Sequence, residues 1–121
     1  MNANVLKRAG IDYDYCVKRF VGRANLFEKA LGKFAKDTTI DRIRAAYGAK
    51  DMEGLLASAH EFKGMCGNIG LTSLYEAADA LVALLRSGAY DNGTLDAAYR
   101  CLDETYDAVH GAVIASMEET V

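Results

Sequence analysis

The chain has 121 residues, of which 51% are hydrophobic and 26% charged, and we expect residues 1–121 to form one globular domain. The net charge of −3 and the pI near 5.3 argue against a protein that binds nucleic acid through a basic surface. No run of about 18 apolar residues predicts a membrane span, and no signal peptide is evident, so we expect a cytoplasmic protein without membrane contacts.

The first half of the chain predicts three helices, because its apolar residues recur at helical spacing. Asp12 is a predicted N-cap, and the helix that follows it should end at Gly22. A second helix is predicted over residues 24–36, and a third after Asp37. The predicted apolar faces comprise Tyr13, Val17, Phe20 and Val21, then Phe27, Ala30, Leu31 and Phe34, then Ile40, Ile43 and Tyr47.

Three longer helices are predicted in the second half. Asp51 is the N-cap of the first, which Gly70 ends. Ser73 and Glu76 match a capping box for the next, which extends to Gly88. The last follows residues 91–93. Their apolar stripes comprise Leu55, Ala59, Phe62, Cys66 and Ile69, then Leu71, Leu74, Ala78, Leu81 and Leu85, then Leu95, Tyr99, Leu102, Tyr106, Val109 and Val113.

Long amphipathic helices with short connections predict an all-α fold. Antiparallel packing is the expected arrangement, because a short connection returns the chain alongside the helix it has just left. We therefore predict an antiparallel four-helix bundle with additional short N-terminal helices.

The segment of residues 59–70, AHEFKGMCGNIG, carries the features that point to chemistry. At about 100° per residue, His60 points away from the apolar stripe. Two glycines inside a helix each cost about 0.5–1 kcal/mol relative to alanine, so we interpret them as clearance for a partner. Leu56 is an apolar residue on the same face, and we interpret it as part of a docking surface. The face around His60 comprises Glu53, Leu56, Lys63, Gly64 and Gly67.

The pairing of His60 with Lys63, one turn later, fits phosphoryl transfer. A neutral imidazole is a competent nucleophile near pH 7, since its ordinary pKa is about 6.5. An adjacent ammonium group could stabilise a phosphoryl group at that nitrogen.

The run from His60 to Gly64, followed by Gly67 and by Ile69 and Gly70, resembles the signature of histidine phosphotransfer (HPt) domains. The resemblance extends upstream over residues 10–37 and downstream over LTSLYEAADALVALLRSG, and so covers nearly the whole chain. Met65 and Cys66 are bulkier than the small residues expected there, although both should turn away from His60.

The resemblance implies a protein that relays a phosphoryl group between receiver-domain aspartates in a two-component phosphorelay. It implies that His60 is the phosphoacceptor, that Lys63 stabilises the phosphoryl group, and that Leu56, Gly64 and Gly67 belong to the docking surface. Arg86, on the next helix, lies where some members carry a basic residue near the phosphohistidine.

The resemblance also implies the partners, which are receiver domains of response regulators or of hybrid sensor histidine kinases. The chain would act as a covalent phosphotransfer intermediate rather than a stand-alone kinase, with no ATP site and no cofactor of its own. Mg²⁺ would be supplied by the receiver. We expect a monomer, because the predicted helices suffice to close a core.

Two other interpretations stay open from the residues alone. A non-catalytic helical adaptor could bind a receiver through the same face without being phosphorylated. A metal-binding bundle is the third, because Asp107 and His110 are three residues apart on one helix, but no Glu-x-x-His motif accompanies them. Cys16, Cys66 and Cys101 lack metal-site spacing, and we expect them to be reduced and buried.

Overall fold

The computed structural model describes residues 1–118, and in that part of the chain it contains seven α-helices and no strand. The all-α prediction is therefore confirmed. In chain order the helices are α1 (Ala3–Arg8), α2 (Tyr13–Arg19), α3 (Ala24–Lys36), α4 (Thr39–Gly48), α5 (Met52–Ile69), α6 (Thr72–Ser87) and α7 (Asn92–Glu118).

Local capping chemistry sets several of these boundaries as the sequence predicts. The Asp12 carboxylate accepts a hydrogen bond from the Tyr15 N–H at 3.0 Å, and the Asp51 carboxylate accepts one from the Gly54 N–H at 2.9 Å. Each bond satisfies a backbone donor that has no partner inside the helix. Gly70 ends α5 with a φ of +93°, a left-handed conformation that glycine adopts without steric cost.

Three local predictions are wrong. Val21 does not join the apolar face of α2, because that helix ends at Arg19 and Val21 is 88% exposed with a φ of +57°. Ser73 and Glu76 form no capping box, since α6 already begins at Thr72 and places Ser73 within its first turn. Cys101 is exposed rather than buried.

Helices α4 to α7 form the bundle, with α5 packed between α4 and α6, and with α6 packed against α7. Side chains of α4 also reach α7, where Arg44 bonds Asp103 at 2.6 Å and Tyr47 bonds Asp96 at 2.6 Å. The higher-numbered residue of α4 thus meets the lower-numbered residue of α7, so the two helices are antiparallel. The predicted antiparallel four-helix bundle is confirmed, and α1, α2 and α3 are the additional N-terminal helices.

The core lies along the apolar stripes predicted from helical spacing. The α5 and α6 stripes are buried in full, whereas Tyr47 on α4 and Tyr99 on α7 are only partly buried. The N-terminal helices extend this core, since α1 and α3 pack against α7 and Phe27 is fully buried. Because burial fixes the rotation of α5, the opposite face of that helix must lie at the surface.

Candidate functional site

His60 is exposed because the residues on the opposite side of α5 are anchored in the core. Leu55, Ala59 and Cys66 are each 0% exposed, and Phe62 is 1% exposed. Burying one such large apolar side chain contributes about 1.5–3 kcal/mol, so a rotation of α5 that moved His60 inward would be strongly unfavourable. The core thereby holds the imidazole at the surface.

Arg86 is the hydrogen-bond partner of His60. It lies in the last turn of α6, and its Nη2 is 3.4 Å from the Nδ1 of His60. Within residues 1–118, no second hydrogen bond reaches the imidazole, so its Nε2 has no partner there. The two helices therefore place a guanidinium group at one ring nitrogen and leave the other open.

Lys63 makes its hydrogen bond to α6 rather than to His60. Its Nζ is 3.1 Å from the Asp79 carboxylate and 6.0 Å from the centre of the Tyr75 ring. The Lys63 side chain is only 18% exposed, so much of its length lies against the neighbouring helix. The ammonium group reaches the site face as one half of an ion pair.

Gly64 and Gly67, two of the glycines of α5, differ in their surroundings. A Cβ atom at Gly64 would meet no atom within 4 Å, so the space beside it is open. A Cβ atom at Gly67 would lie 3.1 Å from the Tyr75 ring, closer than most real contacts. The clearance expected for a partner is thus present at Gly64, whereas Gly67 gives room to a side chain of this chain.

Other residues of this face divide between the surface and the core. Leu56 is partly buried and packs against the hydrophobic core, so only part of it is available for contact. Glu53 is exposed. Glu61 forms an ion pair with Arg42 of α4.

A surface cavity of about 540 Å³ adjoins the histidine face. Helix α2 forms one wall of it, opposite α5 and α6. Helical spacing does not predict Tyr75 or Asp79 as site residues, because spacing along one helix does not show which residue of the next helix lies opposite. The residues that line the cavity include Tyr15, Arg19, Lys63, Gly64, Gly67 and Tyr75.

The buried cysteines are poor nucleophiles. Burial raises the pKa of the Cys16 thiol to about 11 and raises that of the Cys66 thiol as well. A thiol must lose its proton to attack or to bind a metal. Both are therefore protonated near neutral pH, and all three cysteines are free.

The pair Asp107 and His110 is used for packing. The His110 Nε2 lies 3.0 Å from the Ala35 carbonyl oxygen, and the ring stacks on Tyr106. Asp107 pairs with Arg44 at 3.0 Å. Across the described chain, no three His, Cys, Asp or Glu residues are placed to hold a metal ion together.

The fold and the site define a class of protein, a helical bundle that presents one histidine on an open helix surface. The family model of the Hpt domain matches residues 36–118, from the last residue of α3 through α7. The chain therefore belongs to the Hpt domain family, which carries out histidine phosphotransfer with receiver domains in two-component phosphorelays. No curated protein and no solved structure gave a significant match. Within residues 1–118 there is no helix with the length and apolar character needed to cross a membrane.

Proposed function

We propose that this protein relays a phosphoryl group between the aspartates of two receiver domains through phosphorylated His60. The observation that carries the proposal is the exposed imidazole of His60, with one ring nitrogen unpartnered within residues 1–118 and open space beside it at Gly64. A partner can approach such a nitrogen closely without displacing any side chain at Gly64.

The chemistry proposed for His60 is a direct exchange of bonds at phosphorus. The lone pair of a neutral ring nitrogen attacks the phosphorus of an aspartyl phosphate, and the bond from phosphorus to the aspartate oxygen breaks. The electrons of that bond leave with the carboxylate. In the second step, the carboxylate of another receiver attacks, and the imidazole leaves. Such transfer depends mainly on positioning and on stabilisation of charge.

We assign the stabilising charge on this chain to Lys63. Its ammonium group is held by Asp79 on the same surface, and an approaching phosphoryl group would compete with that carboxylate for it. The Mg²⁺ required to neutralise the phosphoryl oxygens is assigned to the receiver, and no cofactor is assigned to this chain.

The docking surface that we assign to the receiver comprises Leu56 and Gly64, with Gly67 supporting it through Tyr75. Receivers of response regulators and of hybrid sensor kinases are the proposed partners. We further propose that the chain acts as a cytoplasmic monomer, and light scattering after size exclusion would test the monomer directly.

The experiment is phosphoryl uptake from a phosphorylated receiver domain with Mg²⁺, followed by intact mass. The chain contains two histidines, so His110→Gln is a matched control for His60→Gln. Wild type and His110→Gln should each gain one phosphoryl group, and His60→Gln should gain none. If receivers bind but no adduct forms on the wild type, the non-catalytic adaptor is the better description. Uptake by His60→Gln would refute the assignment of the acceptor.

A further inference from the structure

The contact between Arg86 and His60 restricts where the ring proton can lie. A guanidinium group carries five N–H donors, has no acceptor and stays charged at all ordinary pH values. In a hydrogen bond between Arg86 Nη2 and His60 Nδ1, the ring nitrogen must therefore accept. A neutral imidazole that accepts at Nδ1 carries its proton on Nε2.

We propose that Arg86 is a positioning residue that selects the tautomer of His60 with its proton on Nε2, and that transfer through Nε2 begins only when Arg86 leaves Nδ1. The inference deepens the proposed phosphotransfer function and rests on it. Arg86 acts here through the ring and not as a ligand of the phosphoryl group.

The nitrogen that a partner can reach is the one that this tautomer leaves unreactive. Nε2 has no hydrogen-bond partner within residues 1–118, whereas Nδ1 faces the guanidinium group of Arg86. Attack at phosphorus needs a lone pair, and Nε2 has none while it carries the proton. The contact with Arg86 thus holds the His60 ring in an unreactive resting state.

Activation then requires a defined movement of one proton and one side chain. Arg86 withdraws, Nε2 loses its proton to solvent, and Nδ1 takes one up from solvent, so the ring stays neutral. The Nε2 lone pair forms the bond to phosphorus, and the receiver carboxylate leaves with the electrons of its phosphorus–oxygen bond. The proton on Nδ1 stays on the ring through that step.

Exposure of both side chains makes the withdrawal feasible. Arg86 and His60 are exposed, so no buried group has to be uncovered when they separate. Lys63, three residues after His60 on α5, is bound to Asp79 and not to the ring.

The test is the tautomer of His60, measured by nitrogen-15 NMR on the full chain at a pH at which the ring signals no longer change and the imidazole is neutral. Arg86→Lys keeps a donor without an acceptor, whereas the amide oxygen of Arg86→Gln can accept from an Nδ1 proton. Arg100→Gln is the matched control, because Arg100 is exposed and pairs with Asp96 on α7.

We expect wild type, Arg86→Lys and Arg100→Gln to carry the proton mainly on Nε2. Arg86→Gln should shift the tautomer ratio toward Nδ1 by about fivefold, the effect of one exposed hydrogen bond. A wild-type ring protonated mainly on Nδ1, or an unchanged ratio in Arg86→Gln, would overturn the proposal.

A kinetic measurement checks the gating step. The single-turnover rate from a phosphorylated receiver should be at least as high in Arg86→Gln as in wild type. A lower rate with a shifted tautomer would show that Arg86 serves the phosphoryl group instead, which overturns the gating. Failure of the proposed function is a separate result, because it appears as an absent adduct in wild type and leaves the tautomer measurement unaffected.

Discussion

The two cations assigned to the candidate site have different partners. Arg86 contacts the ring of His60, whereas Lys63 is paired with Asp79. The Asp79 side chain is 53% exposed, so this ion pair is open to solvent on its carboxylate side. Ion pairs at the surface contribute about 0.2–1 kcal/mol to stability, so an incoming phosphoryl group can compete for the ammonium group at low cost. The ion pair therefore keeps the Lys63 ammonium group close to the site, where a phosphoryl group can displace Asp79 from it.

The role of Lys63 predicts opposite behaviour in two variants. Lys63→Ala should slow single-turnover transfer by on the order of tenfold, less than the 10²–10³ lost when a buried oxyanion donor is removed, because this site is open to water. Asp79→Asn should transfer at least as fast as wild type, since it removes a competitor for the ammonium group. Both should keep the wild-type circular dichroism. A Lys63→Ala protein that transfers at the wild-type rate would remove Lys63 from the mechanism.

The buried thiols predict how stability depends on pH. The pKa of Cys16 is raised from about 9 to about 11, so the unfolded chain loses this proton at lower pH than the folded chain does. The protonated Cys16 thiol therefore contributes its full stabilisation of the folded state below about pH 9. This contribution is lost as the pH rises through the pKa that the thiol has in the folded state. Cys66 acts in the same direction. In thermal unfolding, the melting temperature should fall more steeply between pH 8.5 and about pH 10.5 in wild type than in Cys16→Ala. Equal slopes would show that the Cys16 thiol does not contribute.

At this scale the sequence supports the choice of His60 but not the identity of its neighbours. Helical spacing places His60 opposite the apolar stripe of α5, and the structure confirms that it is exposed. The contacts of Lys63 with Asp79 and of Gly67 with Tyr75 depend on the axial register between α5 and α6. That register is set by packing across the whole interface, which periodicity along one helix does not contain.

Among the elements, α5 determines how a partner can approach. Gly64 and Gly67 sit on one side of the helix, yet of these two only Gly64 borders open space, because the Tyr75 ring covers Gly67. A larger side chain at Gly64 would therefore affect the docking surface, whereas a larger side chain at Gly67 would affect the packing of α6.

Two substitutions at Gly64 separate docking from folding. Gly64→Ala should stabilise the helix by up to about 1 kcal/mol and leave transfer close to wild type. Gly64→Leu should also fold, but its side chain would occupy the open space and reduce receiver binding and transfer. Titration calorimetry with a receiver and thermal unfolding measure the two effects independently. Unimpaired binding by Gly64→Leu would refute the clearance interpretation.

Element boundaries were predictable where one side chain or one glycine decides them. The ranges of α3 and α5 follow from apolar spacing, from Asp51 and from Gly70. The predictions for Val21 and Ser73 are wrong because α2 ends at Arg19 and α6 begins at Thr72. At the start of α6, the chain leaves Gly70 and re-enters a helix at Thr72, two residues too early for Ser73 to cap it.

For the whole molecule, the family match and the bundle cover the same elements. Residues 36–118 contain α4 to α7, the antiparallel bundle that carries His60 and Arg86. Amphipathic spacing and short connections made this architecture predictable from sequence. The position of the N-terminal helices was less predictable, because the packing of α1 and α3 against α7 joins segments far apart in the chain.

The central claim is that one histidine carries the phosphoryl group between receivers, and passage through the complete relay tests it most directly. A receiver with a labelled phosphoryl group, a second unlabelled receiver and Mg²⁺ would be mixed with wild type, His60→Gln or His110→Gln. The account predicts that label reaches the second receiver with wild type and His110→Gln, and does not with His60→Gln. Label passing equally well with His60→Gln, or failing to pass in wild type between receivers that both bind, would contradict the account.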